Sequence, residues 1–173
     1  LKNLSKNIVI ENALYIVSTP IGNINDITIR SIKILNNSDT IICEDTRVSK
    51  KLFSYLGLRI KEKKWLIYND HSQEKDIINI LNELNKGKVV SLITDAGTPL
   101  ISDPGYKLIR RIRQSRHQIF SLPGPCSAIA SLVISGLKTD KFCFLGFLPK
   151  NKNNYIATLR DYTKLSCSLI IYE

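Results

Sequence analysis

The chain lacks most features of secreted, membrane-bound and metal-bound proteins. It contains no methionine, and its four cysteines, at positions 43, 126, 143 and 167, are not spaced as CxxC. This spacing argues against a metal site, and four buried free thiols are expected instead. No apolar run approaches the roughly 20 residues of a membrane-spanning helix. Residues 1–12 lack the apolar core of a secretory signal. A cytoplasmic location without membrane association is expected.

Two common nucleotide-binding motifs are also missing. The sequence has no GxxxxGK[ST], and no GxGxxG follows the first predicted strand, where Gly22 stands alone. The first absence argues against a phosphate-cradling loop, and the second argues against an ordinary dinucleotide fold. Loops that present backbone groups and few cations favour a nucleoside ligand without phosphates.

Positive charge is in excess. Lys and Arg number 25 against 15 Asp and Glu, which gives a net charge of +10. Such an excess favours an anionic partner, because neutralised phosphates release counterions. Lysine among abundant isoleucine and asparagine is also typical of AT-rich genomes, so charge alone leaves nucleic-acid binding open.

Short apolar runs alternate with amphipathic segments along the whole chain. This alternation predicts an α/β fold with a largely parallel sheet. The predicted strands are residues 13–17, 40–43, 65–68, 89–93, 118–122, 142–147 and 168–172, and the predicted helices are residues 27–35, 48–56, 77–84, 106–113, 127–135 and 155–165.

Proline and glycine concentrate in three loops that follow predicted strands. Residues 18–23, 94–105 and 123–126 hold five of the six prolines and four of the eight glycines. Glycine lets the backbone approach a ligand closely, and proline fixes the shape of a loop. Parallel sheets bind ligands beyond the carboxyl ends of their strands. The three loops therefore predict a ligand site, and plain turns are the alternative.

Charged side chains follow the predicted strand 40–43. Glu44, Asp45 and Arg47 place two carboxylates and a guanidinium at a strand exit, where they can orient or deprotonate a substrate hydroxyl. They are the candidate catalytic residues. The same segment fits a capped helix start with Asp45 or Thr46 at the N-cap, and the two interpretations are compatible.

A basic helix and two histidines are further candidates. Arg110, Arg111 and Arg113 are the candidate RNA-phosphate contacts, and a solvated outer helix face explains them equally well. His71 ends a strand and is a weaker candidate for facing a cleft, whereas His117 is expected at the surface.

Five longer motifs resemble those of one enzyme family. They are LYIVSTPIGNINDIT, EDTR, TDAGTPLISDPGY, LPGPCSAI and DKFCFLGFLPK, spread over nearly the whole chain. Together they resemble the ribosomal RNA small subunit methyltransferase I family of the tetrapyrrole (class III) methylase superfamily. The resemblance implies a two-lobed α/β fold. In it, residues 1–12 form a tail, residues 13–122 form the N-terminal lobe, and residues 123–173 form a linker helix and an incomplete second lobe.

The resemblance also implies a cofactor and a reaction. Family members transfer a methyl group from S-adenosylmethionine to the ribose 2′-hydroxyl of a cytidine in the decoding region of 16S rRNA in the small ribosomal subunit. The superfamily commonly forms homodimers. Asp95 and Gly97, with Asp103, would shape the long loop. The cofactor-binding residues implied by the motifs are Ile21, Asp95, Gly97, Thr98, Ile101, Gly124, Pro125, Ser127 and Ala128.

The sequence departs from the family at its end. LIIYE matches the first strand of the second lobe, where the family continues with a serine, a histidine and an arginine. If the chain stops at Glu173, weak activity or none is expected. Two alternatives stay open: a methylase of a corrin or another tetrapyrrole, and a non-enzymatic RNA-binding module that does not bind S-adenosylmethionine.

Overall fold

A computed structural model describes residues 9–173 as an alternation of strands and helices. Residues 1–8, most of the expected tail, lie outside the described residues. A short 3-10 helix (Ile24–Asp26) lies between the first strand and the first α-helix. In chain order the elements are β1 (Leu14–Val17), α1 (Ile29–Asn37), β2 (Thr40–Cys43), α2 (Thr46–Tyr55), β3 (Lys64–Ile67), α3 (Glu74–Asn85), β4 (Val90–Leu92), α4 (Tyr106–Gln114), β5 (Ile119–Leu122), α5 (Ser127–Ile134), β6 (Phe142–Phe147), α6 (Lys152–Tyr162) and β7 (Ser168–Tyr172).

Five parallel strands form the main sheet in the order β3-β2-β4-β1-β5. β4 pairs with both β2 and β1, with Val90 opposite Leu14 on one side and opposite Thr40 on the other. The connection after β1 leads to β2 on one side, and the connection after β4 leads to β5 on the other side. The strand order therefore reverses between the neighbours β1 and β4, and such reversals create ligand sites at the carboxyl edge of an α/β sheet. The predicted α/β fold with a largely parallel sheet is confirmed.

Side chains alternate along the strands and divide the core into two hydrophobic clusters, one on each face of the sheet. On β1, Tyr15 and Val17 pack into the first cluster and Leu14 into the second. Helices α1 and α2 cover the first face, and α3 and α4 cover the second. The fully buried helical side chains that anchor them are Ile34 of α1, Phe53 of α2, Ile80 of α3 and Leu108 of α4.

Several helices begin at residues other than those predicted, because capping side chains fix their first turns. Thr28 Oγ1 accepts the N–H of Ser31 at 3.0 Å, so α1 begins at residue 29 instead of 27. Asp45 Oδ1 accepts the N–H of Arg47 at 2.7 Å, so α2 begins at residue 46 instead of 48. Asn151 caps α6, which begins at residue 152 instead of 155.

The chain divides into two compact units between Pro125 and Cys126. The expected boundary lay after residue 122. The difference arises because the Thr98 hydroxyl donates to the carbonyl of Pro125 at 2.8 Å, which holds residues 123–125 in the first unit. The first unit contains the five-stranded sheet and both large hydrophobic clusters.

The second unit, Cys126–Glu173, has a much smaller core. Its strands β6 and β7 form a parallel pair with an irregular register between Phe144 and Gly146. The ring of Tyr172 packs edge-on against Phe144, with 4.9 Å between the ring centroids. The buried side chains of this unit are Ala128, Leu132 and Ile170.

The small second core explains one error of sequence interpretation. Of the four free cysteines only Cys43 is buried, and the others are partly exposed because they lie in the second unit. The expectation of four buried thiols is wrong for Cys126, Cys143 and Cys167. Within residues 9–173, no three His, Cys, Asp or Glu side chains are grouped to hold a metal. None of the helices in that range has the length and apolarity needed to cross a membrane.

Candidate functional site

The loops after β1 and β4 are joined by a pair of backbone hydrogen bonds. The N–H of Thr19 donates to the carbonyl of Gly97 at 2.8 Å, and the N–H of Gly97 donates back to Thr19 at 3.1 Å. The hydroxyl of Thr19 is buried and donates to the carbonyl of Thr94 at 3.1 Å. Since β1 and β4 are neighbours in the sheet, these bonds fix two adjacent strand exits against each other.

The loop after β5 is held at the same place by hydroxyl groups. Ser18 Oγ donates to the carbonyl of Leu122 at 3.3 Å and lies 3.0 Å from Thr98 Oγ1. Thr98 in turn holds Pro125. A Cβ atom on Gly124 would lie 2.7 Å from the Cβ of Ser18, so a larger residue does not fit there without displacing Ser18. The exits of three neighbouring strands therefore meet at one edge of the sheet.

The long loop, residues 94–105, is held in a strained backbone conformation. Positive φ angles occur at Gly97 (91°), Leu100 (73°), Ser102 (64°) and Gly105 (147°). For residues with side chains, such conformations cost about 1–3 kcal/mol each and persist only where the surroundings enforce them. Leu100 is held by the second hydrophobic cluster and by Gly105, where a Cβ atom would come within 3.1 Å of Leu100 Cγ. Strain of this kind is typical of ligand-binding loops.

Seven of the nine predicted cofactor-binding residues lie in these three loops. Ile21 and Ile101 place apolar side chains at the surface of otherwise polar loops, with exposed fractions of 36% and 39%. Ile21 Cγ2 lies 3.4 Å from the position that a Cβ atom on Gly97 would take, so these two residues are neighbours. The seven residues are Ile21, Asp95, Gly97, Thr98, Ile101, Gly124 and Pro125.

The other two predicted cofactor-binding residues open helix α5 of the second unit. The hydroxyl of Ser127 lies 2.7 Å from that of Tyr172 on β7. Ala128 is buried with Leu132 and Ile170 in the core of that unit. Both side chains are thus engaged within their own unit.

Carboxylates concentrate where the loops after β2 and β4 lie side by side. Glu44 accepts a hydrogen bond from the hydroxyl of Thr94. Burial, followed by the charges of Glu44 and Asp45, raises the pKa of Asp95 above its ordinary value. Burial also raises the pKa of Asp103, and the charges of Glu44 and Asp95 add to this rise, although the nearby Thr94 side chain lowers it in part. Asp95 and Asp103 therefore accept protons nearer neutral pH than ordinary carboxylates do.

Asp45 and Arg47 form an ion pair at the first turn of α2. Arg47 Nη2 lies 2.6 Å from Asp45 Oδ2, and Arg47 Nε lies 3.1 Å from each carboxylate oxygen. Hydrogen bonds from the side chain and backbone of Arg47 lower the pKa of Asp45 to about 2. Asp45 therefore stays ionised and is a weak base. The helix-cap interpretation of Asp45 is confirmed, and the guanidinium of Arg47, 90% exposed, stays accessible to an anion.

The three arginines predicted to contact RNA do not share one face of α4. Arg110 and Arg113, three residues apart and so on the same face, line an open groove of about 450 Å³ together with Tyr106. Arg111 lies on another face, with its Nε 3.6 Å from Glu74 Oε1 on α3. The structure groups two of the predicted residues and separates the third.

The two histidines lie apart from the strand exits that meet. His71 is exposed and lines a shallow cavity of about 280 Å³ beyond β3, together with Asn69 and Asp76. Nε2 of His117 lies 2.9 Å from Oδ1 of Asn85.

Three buried hydroxyl residues of the site were not singled out from the sequence. Ser18, Thr19 and Thr94 follow directly after apolar strands and are almost fully buried. Their partners are as far as 104 positions away along the chain, so no local pattern identifies them. The available signal was their position: a polar residue that directly follows a buried strand must find a partner at the strand exit.

Comparison with known proteins places these features in a family. Residues 13–172 match the family described as Tetrapyrrole (Corrin/Porphyrin) Methylases. The chain is 49% identical over 165 residues to Ribosomal RNA small subunit methyltransferase I of Rickettsia prowazekii, covering 95% of this chain and 58% of that protein. It is 39% identical over 163 residues to the protein of the same name from Escherichia coli O157:H7, covering 94% and 56%. The chain thus spans little more than half the length of these relatives.

Two solved structures share the fold. A cobalamin biosynthetic enzyme, cobalt precorrin-4 methyltransferase, superposes with a TM-score of 0.61 at 19% identity, covering 82% of this chain and 59% of the other. Uroporphyrin-III-C-methyltransferase from Thermus thermophilus superposes with a TM-score of 0.57 at 16% identity, covering 79% and 60%. At these identities the likeness concerns the fold alone.

Proposed function

Because this chain belongs to the tetrapyrrole (corrin/porphyrin) methylase family, we propose that its strand-exit loops bind S-adenosylmethionine for methylation of a ribose 2′-hydroxyl of a cytidine in the decoding region of 16S rRNA. The observation that carries the proposal is the meeting of three loops through the Thr19–Gly97 backbone pair and the Ser18–Thr98–Pro125 contacts. The names of the relatives and the net charge of +10 support an RNA acceptor. Small ribosomal subunits as the acceptor imply action in the cytoplasm.

The composition of the three loops fits an adenosyl ligand. They contain no Lys or Arg, so they offer hydrogen-bonding groups and apolar surface instead of charge for phosphates. Ile21 and Ile101 would contact the purine, and the absence of a side chain at Gly97 lets the ligand approach the backbone. S-adenosylmethionine, a nucleoside without phosphates, supplies an electrophilic methyl group when bound.

The charged residues after β2 would act on the acceptor. Glu44, held by the Thr94 hydroxyl, is the proposed acceptor of the ribose hydroxyl proton. Asp45 orients Arg47 through the ion pair, and Arg47 would hold a neighbouring phosphate. Positioning of the hydroxyl contributes most of the rate in such a displacement, so the fixed strand exits matter as much as the base.

Replacing Gly97 by alanine tests the donor site. The φ angle of 91° and the Cβ contact of 3.4 Å with Ile21 predict a strained and narrowed loop, and we expect the affinity for S-adenosylmethionine to fall about tenfold or more, as measured by calorimetry. Gly87→Ala is the matched control, because Gly87 has a φ angle of 70° and an equally close Cβ contact of 3.4 Å at the opposite, amino end of β4. Equal losses in both variants, or none in Gly97→Ala, would contradict the proposal.

Replacing Glu44 by glutamine tests the acceptor side. With radiolabelled S-adenosylmethionine and small ribosomal subunits, we expect Glu44→Gln to reduce methyl transfer about a hundredfold, the lower range for loss of a general base, while leaving donor affinity unchanged. Asp45→Asn should have a smaller effect, since asparagine also caps helices. A tetrapyrrole serves as the competing acceptor. Faster transfer to the tetrapyrrole, or full activity of Glu44→Gln, would overturn this assignment.

A further inference from the structure

A continuous groove runs along α4 beside the edge strand β5. Its first part, about 450 Å³, is lined by Leu100, Tyr106, Ile109, Arg110, Arg113 and Gln114. Its second part, about 440 Å³, shares Ile109 and Arg113 with the first and adds His117 and Ile119. The shared residues make the two parts adjoining sections of one groove, and its lining combines apolar side chains with Arg110 and Arg113.

The groove carries positive charge that the described residues do not neutralise. Within the part of the chain that the structure describes, no carboxylate lines either section of the groove. Among residues 9–173, Arg110 and Arg113 form no ion pair within 4 Å, in contrast to Arg111, which lies near Glu74. Unpaired guanidinium groups beside apolar side chains are complementary to a phosphate backbone whose bases pack against the protein.

The direction of α4 connects the groove to the proposed site. Helix α4 begins at Tyr106, directly after the long loop at the carboxyl edge of the sheet, and ends on the way to the amino end of β5. At 1.5 Å per residue, Tyr106 to Arg113 spans about 10 Å. Leu100, which belongs to the long loop, also lines the groove. A ligand lying in the groove therefore reaches the loop that contains Gly97 and Thr98.

Tyr106 gives the groove an aromatic surface at this end. Its side chain is 72% exposed, which is unusual for so large a ring without a partner to cover it. Stacking of a base on an exposed aromatic ring tolerates any sequence and requires an unpaired base. The combination of one exposed ring and two free cations one helical turn apart is typical of single-strand binding.

We propose that this groove binds a single-stranded segment of RNA, with phosphates on Arg110 and Arg113 and a base stacked on Tyr106, and that it leads the strand to the carboxyl edge of the sheet. This inference rests on the proposed function for the identity of the RNA, and it narrows the three arginines of the sequence prediction to the two that share the groove.

The test measures binding of the whole chain to a fluorescent single-stranded oligouridine and to an RNA duplex by anisotropy over a range of salt concentrations. Arg110→Gln with Arg113→Gln should weaken oligouridine binding about tenfold or more. It should also reduce the slope of log affinity against log salt concentration by about 1.4, since each single-strand phosphate contact contributes about 0.7.

Tyr106→Leu should weaken oligouridine binding about fivefold or more, whereas Tyr106→Phe should retain the original affinity. Arg30→Gln with Lys33→Gln is the control, because it removes the same charge at the same spacing from α1 on the opposite face of the sheet.

The outcomes separate the groove from the proposed function. The inference fails if the α1 control variant weakens RNA binding as much as the Arg110/Arg113 variant does, or if the duplex binds as tightly as the single strand. It also fails if the groove variants change only the oligomeric state in sedimentation, because the groove would then be a protein interface. Calorimetry with S-adenosylmethionine should give the same affinity for the groove variants and the original chain. If the chain binds no S-adenosylmethionine while its RNA binding still depends on Arg110 and Arg113, the proposed function fails and the groove stands.

Discussion

At the residue scale, the candidate site depends on small hydroxyl groups and on carboxylates that crowd one another. Ser18, Thr19 and Thr94 use their hydroxyls to hold backbone carbonyls or carboxylates. Asp95 and Asp103, in contrast, have pKa values raised by burial and by neighbouring charge. These two carboxylates, which lie near the proposed proton acceptor Glu44, thus reduce stability at neutral pH, and a loss of stability is common at functional sites.

The loss of stability caused by a raised pKa can be measured directly at Asp103. Because its pKa in the folded state lies above the ordinary value of 3.8, the folded protein binds the proton more tightly, and stability is lost as the pH rises through the folded-state pKa. We expect Asp103→Asn to raise the free energy of unfolding at pH 7, with a difference from the original chain that shrinks towards zero below about pH 3.8. Urea unfolding at both pH values measures this. A variant less stable than the original chain at pH 7 would refute the expectation.

At the element scale, capping residues decide where the helices begin. The Thr28 hydroxyl accepts a hydrogen bond from the N–H of Ser31 and lies 2.8 Å from the Ser31 hydroxyl. Ser31 is fully buried. This cap separates α1 from the preceding 3-10 helix. The intervening residue Ile27 can then turn into the core.

Removing this cap should weaken the fold. We expect Thr28→Ala to lower the free energy of unfolding by about 1–2 kcal/mol, because one helix-end N–H and one buried hydroxyl both lose a partner. Thr28→Ser retains both hydrogen bonds and serves as the control. Chemical denaturation of the two variants provides the comparison, and equal stabilities would show that the cap does not contribute.

Comparing predicted and observed elements shows what the sequence determines. The strands Thr40–Cys43, Phe142–Phe147 and Ser168–Tyr172 were predicted to the residue, because short apolar runs between polar residues leave little freedom for their bounds. The starts of α4 and α5 were also predicted to the residue. Those of α1, α2, α3 and α6 were missed by two or three residues, since a polar capping residue falls outside the apolar pattern. The left-handed conformation of Leu100 had no local signal, because packing against the second cluster enforces it.

The same comparison holds for the site. The meeting of the three loops followed from their place after strands and from the rule for parallel sheets. The sequence did not predict that Arg111 is separated from Arg110 and Arg113. That separation depends on the neighbour of each guanidinium: Arg111 lies near Glu74, and Arg113 lines the groove. The residue roles that the family resemblance implies stay predictions until the binding experiments are done.

At the scale of the whole molecule, the two compact units differ in how much they bury. Two clusters fill both faces of the main sheet in the first unit. The second unit buries Ala128, Leu132 and Ile170 around a two-stranded sheet. A pair of strands with so little apolar cover is only marginally stable.

Hydrogen exchange should reveal this difference. We expect backbone amides of β6 and β7 to exchange at least about a hundredfold faster than those of β1 and β4, because local opening of the second unit exposes little apolar surface. Mass spectrometry of peptides from both units gives the rates. Equal protection of β7 and β1 would mean that the second unit is as stable as the first.

The paired amides of Thr19 and Gly97 have a consequence for the energetics of ligand capture. Main-chain hydrogen bonds join the exits of two neighbouring parallel strands. A substitution at Thr19 or Gly97 can therefore break these bonds only by straining the backbone. The two strand exits are therefore already ordered in the ligand-free protein. Ligand binding then loses little free energy to ordering of the loops. The amides of these two residues should therefore already be slow to exchange in the ligand-free protein, and saturation with the donor should slow them little further.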